Sequence, residues 1–356
     1  MDKPLSALHN KYYAELLQTL EHTNLEFFGR TLREGTLTKR TIRGRQCWYF
    51  KKMTKGEVEY VYVGPDSPAL ATHIDRAKTT KAVIRQLAGN VVRAGGYQFR
   101  GMAANVLESL SDAGVFAAGT VLVGTNAFLA YQSMLGLVWQ ISDEALGTGD
   151  IDFAHVAKLA LGVPLDVAEP VRESLLKLEA KPFHTSLFQK GPPWTYQIQN
   201  AGVAFDIEFL TPLTGPEPKE NRTVPLPWLG VAAQPLRFMD YLLENAVKAA
   251  VVPTRGALLV NIPDPGRFAL HKLIVAERRP AKLVTKKRKD RLQAAAVIDS
   301  LAKTAPEILR DAWTALVQKQ PTWGELVKES AKNLPPQTQD ALLAQLEERE
   351  SPDFDR

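Results

Sequence analysis

Residues 120–154, TVLVGTNAFLAYQSMLGLVWQISDEALGTGDIDFA, constrain the fold more than any other part of the chain. The apolar run 120–123 predicts a short buried strand, Gly124-Thr125-Asn126 a turn, and 127–137 a helix whose first amides face that turn. Free N–H groups and the helix dipole favour an anion at such an end, and glycine lets the backbone approach it closely. Asp150-Ile151-Asp152 follows. On a strand, alternation places both carboxylates on one face and turns Ile151 towards the core. Two aligned carboxylates suit magnesium, which takes hard oxygen ligands and keeps several waters.

The rest of the chain can support such a core. At 356 residues, 45% aliphatic or aromatic and 23% charged, it is long enough for two or three domains. A net charge of +5 permits phosphate-rich partners without demanding nucleic acid. The single cysteine, Cys47, excludes an intrachain disulfide and a cysteine-rich zinc site, which fits a reducing compartment. The N-terminus shows no apolar core bounded by a cleavage signal. No stretch reaches the roughly 18 uninterrupted apolar residues needed to span a bilayer. The expectation is a soluble, cytoplasmic protein with no membrane partner.

Apolar spacing predicts an amphipathic helix over 5–20, and the Arg- and Lys-rich segment 30–45 reads as a basic connector. Two aromatic and β-branched runs, 46–53 and 57–63, flank Thr54-Lys55-Gly56 and predict a β-hairpin. Helices are expected over 69–94 and 99–113, the second broken at Gly114, with short helices at 154–161 and 171–178. Strands over 196–199 and 203–210 are joined around Asn200-Ala201-Gly202, and alternation puts Asp206 and Glu208 on one strand face. Segment 211–227, with five prolines, reads as a loop. A helix over 236–249 and a strand over 257–262 lead to Pro263-Asp264-Pro265-Gly266, a turn feeding a helix at 267–277. Residues 277–291 hold eight Lys or Arg. Helical spacing resumes at Leu292 and returns in 306–318, 323–334 and 338–349. Trp194, Tyr196, Trp228 and Trp313 fall on different elements and read as packing residues.

A glycine turn at a helix start, an acid-x-acid strand and a second acidic strand suit phosphoryl or nucleotidyl transfer. That chemistry needs positioned metal and phosphates more than covalent help from the protein. Gly124-Thr125 with the following helix, Thr148-Gly149-Asp150-Ile151-Asp152-Phe153-Ala154, and Asp206-Ile207-Glu208-Phe209-Leu210-Thr211-Pro212 resemble, in that order, a bacterial nucleotidyltransferase-fold family of the polymerase-beta-like superfamily. Trp48-Tyr49 with Gly64-Pro65-Asp66, the run from Pro263 to Lys272, and Lys289-Asp290 are similar to its other blocks. The resemblance runs from about residue 46 to about residue 300.

The resemblance implies an α+β fold: a polymerase-beta-like nucleotidyltransferase core, a mixed sheet with helices, carrying an N-terminal helix and hairpin region and a C-terminal helical region. The corresponding segments are 1–98, 99–275 and 276–356. It implies an ATP- or other NTP-binding, magnesium-dependent transferase with two metal ions, held by Asp150, Asp152 and Glu208, with Asp206 as a possible substitute for Glu208. Gly124 and Thr125 would bind the triphosphate. Lys272 is read either as reaching phosphate or as a solvated surface lysine, and Lys289 as part of a cationic field around it. His271 reads as structural, and Asp290 as pairing with one of these cations. The acceptor is left open among an RNA end, a protein hydroxyl and a small molecule. Two other readings stand beside this one: a non-catalytic nucleotide- or RNA-binding module, and a partner-controlled toxin, since related abortive-infection nucleotidyltransferases act on tRNA.

Overall fold

The computed structural model describes residues 2–24, 35–42, 44–54, 57–156, 165–184, 191–200, 202–215 and 222–346. The fold is α+β, organised on a mixed sheet of seven strands. The order across it is Val224–Leu226, Val231–Leu236, Val203–Pro212, Asp150–Ala154 and Val121–Val123. Val203–Pro212 is the spine. It runs parallel to both Asp150–Ala154 and Val231–Leu236, and its first half pairs antiparallel with Thr195–Asn200. Phe205, Ile207 and Phe209 are buried on one side of it while Asp206 and Glu208 stay half-buried on the other. That is the period-two pattern of a strand covered on one face and lining a cleft with the other.

The helix Gly124–Met134 leaves the sheet directly after Val121–Val123, and nearly all its residues are buried. Behind it, Val247–Val251 and Leu258–Ile262 form an antiparallel ladder. The helix Pro265–Arg278 then packs on Val284–Thr304, and the helices Pro306–Lys319, Pro321–Ala331 and Pro336–Leu346 close around this pair. Each of those last three opens on a proline, whose missing N–H costs nothing at a helix start. Sheet and C-terminal helices share one core, from Phe99 to Leu342.

At the N-terminal side, Ala7–Asn24 packs against Pro68–Arg93 and the Val247–Val251 ladder through Tyr13, Leu16 and Leu20. A smaller sheet, Gly35–Ile42, Arg45–Thr54 and Glu57–Pro65, covers the other part of Pro68–Arg93 through Leu37, Trp48 and Phe50.

Several elements differ from expectation. Most of the described part of the basic connector is a strand, Gly35–Ile42, whose Lys39 and Arg40 lie over the rings of Trp48, Tyr49 and Tyr60; residues 30–34 and 43 lie outside the described residues. The segment 236–249 holds only the short helix Met239–Leu243 before Val247–Val251 enters its ladder, so pairing overrides the helix preference of its alanines. Val224–Leu226 is a strand inside the expected loop. Ala154 ends a strand and His155 and Val156 are not helical, while 157–161 lie outside the described residues, as do 347–349 of the last helix.

Candidate functional site

Strand register decides which acids meet. Asp150–Ala154 and Val203–Pro212 align in parallel so that Asp150 lies opposite Asp206, Ile151 opposite Ile207 and Asp152 opposite Glu208. Both isoleucines are fully buried, which fixes the register and holds four carboxylates on the opposite face. On the other side, Val123 lies opposite Asp152, so the chain turns into its helix directly beside that carboxylate. Gly124 is obligatory there. Its φ is +63°, and a Cβ would stand 2.0 Å from the Asp152 Oδ2.

The acids are unevenly supported. Thr148 donates its hydroxyl to Asp150 Oδ1, and Asn126 Nδ2 donates to the Asp150 carbonyl at 3.0 Å. Gln197 Nε2 donates to Asp206 Oδ1 at 2.8 Å. Asp152 and Glu208 are hydrogen-bonded to each other. Burial, then the neighbouring Asp150 and Glu208, push Asp152 up to about 8, against the pull of Lys272 and Lys289. Burial, then Asp150 and Asp206, raise Glu208 as well, opposed by Lys286.

The cations face these acids from two helices. Lys272 Nζ is 2.7 Å and Arg279 Nε 2.6 Å from the two oxygens of buried Asp290. Burial pushes Asp290 up, and these two cations more than reverse it, holding its carboxyl below the usual range. Lys289 reaches the Gly147 carbonyl at 2.6 Å, in the loop that leads to Asp150. Burial and the nearby Lys272 lower its pKa. Thr125 is buried at the helix start, where its Oγ1 accepts from Gln293 Nε2 at 3.4 Å, leaving its own proton to donate. Both ring nitrogens of buried His271 lack a partner, and burial with Lys272 beside it brings the imidazole down to about 3. A ring kept neutral inside a helix pair has a packing role.

The structure therefore brings Asp150, Asp152, Glu208, Gly124, Thr125, Lys272 and Lys289 to one cleft, with Asp206 on the same face but held by Gln197. Trp194 is buried, and Tyr196, Trp228 and Trp313 pack against the core. Residues given no role from the sequence are Thr148, Gln197 and Gln293, each of which holds a site group in place. Thr148 had a local signal, two residues before Asp150, while the other two arrive from distant elements; Arg279 lies in the cationic run with which Asp290 was expected to pair, and does so.

The donor set fits magnesium in kind: hard carboxylate oxygens, of which Asp152 and Glu208 are raised by burial and then by neighbouring acids, with no Cβ at Gly124 to block the approach. Among the described residues no group of three His, Cys, Asp or Glu side chains is arranged to hold a metal ion as it stands.

An acid-x-acid strand, a neighbouring acid in register and a glycine-led helix start thus meet on one α+β sheet. A nucleotidyltransferase family matches residues 101–318, more than half the chain, and the chain belongs to that family. A solved structure, an antigenic nucleotidyltransferase-like protein from Paracoccidioides brasiliensis, aligns at 14% identity with a TM-score of 0.32, over 64% of this chain and 93% of that one. Comparison with curated proteins gives no match. No helix among the described residues is long and apolar enough to cross a membrane.

Proposed function

We propose that this chain is a magnesium-dependent nucleotidyltransferase of the polymerase-beta-like superfamily, transferring a nucleoside monophosphate from an NTP to an acceptor hydroxyl. The observation that carries the reading is the register that sets Glu208 beside Asp152, next to the Gly124 helix start. Asp150, Asp152 and Glu208 would hold two magnesium ions, which when bound neutralise the triphosphate and align attacking and leaving oxygens. Gly124 lets the chain pass against Asp152, and the first amides of Gly124–Met134 with the Thr125 hydroxyl donate to the terminal phosphates. Lys272 and Lys289 supply charge on the opposite wall, positioned by Asp290 and by the Gly147 carbonyl. The acceptor hydroxyl gives its proton to solvent as its oxygen forms a bond to the α-phosphorus, the bond to the bridging oxygen breaks, and pyrophosphate leaves.

Glu208 rather than Asp206 is the third ligand in this reading. Gln197 already occupies Asp206, while Glu208 makes its bond to another acid and so is free to exchange it for a cation. Incubation of the protein with each labelled NTP, magnesium and total cell extract would show which nucleotide is transferred and whether RNA, protein or a small molecule receives it. An Asp152→Ala protein that keeps its fold and still transfers label at the native rate would overturn the assignment.

A further inference from the structure

A second cavity, of about 590 Å³, lies between the C-terminal half of Pro68–Arg93 and the loop 252–256 that closes the Val247–Val251/Leu258–Ile262 hairpin. None of the carboxylate-site residues lines it. The hairpin ladder explains the separation. Val251 pairs with Leu258 at the loop end, whereas Ile262, which leads to the helix bearing Lys272, pairs with Val247 at the other.

Its charge is one-sided. Arg85, Arg93 and Arg255 line it, and no acid does. Glu108 neutralises only Arg255, accepting the Arg255 backbone N–H at 2.8 Å and standing 3.6 Å from its Nε. Arg93 donates to the neutral side-chain oxygen of Asn90 and makes no ion pair among the described residues. Arg85 makes no ion pair among the described residues. Arg100 adds a fourth guanidinium against the wall, donating twice to the lining residue Gln98 at 3.3 and 3.2 Å.

The frame is firm and the floor partly apolar. Phe99 N donates to the Val252 carbonyl at 2.9 Å, and Gln98 bridges Val252, tying the loop to the segment after the long helix. Ala88 and Val252 add apolar surface below the guanidiniums. Guanidinium forks match phosphate geometry, and a cavity of this volume is in the range of small-ligand sites.

We propose that this cavity binds a phosphate-bearing ligand of nucleotide size, without metal, at a site separate from the transfer centre. The phosphate could belong to a free nucleotide or to the end of an RNA strand, and the probes separate the two. The test uses full-length Asp152→Asn protein in EDTA, so that the carboxylate site takes no part and failure of the transferase reading leaves the result untouched. Fluorescent ATP, inorganic tripolyphosphate as its competitor, and a short labelled oligoribonucleotide are titrated against it. Adding Arg85→Glu and Arg93→Glu, both exposed positions, should weaken binding at least about tenfold with the melting temperature retained. Reversing the exposed Lys177 and Lys181 instead should leave it unchanged. Arg85→Gln with Arg93→Gln serves if the reversed variant misfolds. ATP binding displaced by tripolyphosphate marks the free nucleotide as source, and oligonucleotide binding alone marks the strand; each supports the site if the arginine variant loses it. No binding by any probe, binding indifferent to Arg85 and Arg93, or an equal loss in the lysine control overturns it.

Discussion

The two charged walls of the proposed transfer cleft manage charge in opposite ways. On the sheet, Asp150, Asp152 and Glu208 crowd together, and burial with this crowding raises Asp152 and Glu208 above the usual carboxylate range. On the helices, Lys272 and Arg279 are each matched to one oxygen of Asp290. One wall crowds acids with no cation paired to them among the described residues, while the other fixes two of its cations on a shared aspartate and keeps a net positive charge. Like-charge crowding raises carboxylate pKa values and stores affinity for a cation, whereas a buried, doubly paired aspartate fixes geometry. The acids are thus suited to acquiring a partner and the cations to staying where they are.

The comparison breaks most visibly at the acids. Asp152→Ala or Glu208→Ala should each lower transfer from labelled NTP by about 10³-fold or more, with circular dichroism unchanged. Asp206→Asn should retain most activity, because Gln197 holds that side chain outside the ligand set. Equal losses at 206 and 208 would show that the two acids share the role. Next in size is the opposite wall. Removing Asp290 leaves two cations unpaired in a buried place, so Asp290→Ala should cost about 3–5 kcal/mol in urea unfolding. A loss below about 1 kcal/mol would mean the pairing is incidental. Gly124→Ala is expected to act on function more than on stability. Its Cβ can be accommodated only by displacing Asp152, and the measurable result should be about a tenfold or greater loss of magnesium-dependent NTP affinity.

How much of this could be read from residues alone follows the range of each interaction. Asp150-Ile151-Asp152 and Asp206-Ile207-Glu208 announce their shared face through alternation, a property of neighbours. Whether Asp152 meets Asp206 or Glu208 depends on register between strands more than fifty residues apart, which no local pattern carries. The choice between those two acids rests on Gln197, a polar strand residue with no motif around it. Gly35–Ile42 was hidden for a related reason: Leu37 is its one buried apolar residue, and its cations are held by aromatic rings on the neighbouring strands. Val247–Val251 has helix-compatible composition and becomes a strand through Leu258–Ile262. The cavity at Arg85 and Arg93 joins a helix to a loop some 160 residues later, and its arginines read singly as surface charge.

The smallest effect gives the sharpest reading of the acidic wall, because it needs no mutation to detect. Asp152 is raised from an ordinary value of 3.8 to about 8, so the folded state holds this proton more tightly than the unfolded chain does. The resulting stabilisation is complete below the unfolded pKa and is lost as pH rises through the folded one. In EDTA the melting temperature should therefore fall between about pH 4 and pH 8 by more than in the Asp152→Asn protein, whose slope loses this contribution. Magnesium should act in the reverse sense. It competes with the proton, so the rise in melting temperature on adding it should be small at pH 5 and grow towards pH 8. A magnesium effect independent of pH, or one equally large in Asp152→Asn, would place the ion elsewhere and leave the acid cluster without its proposed partner.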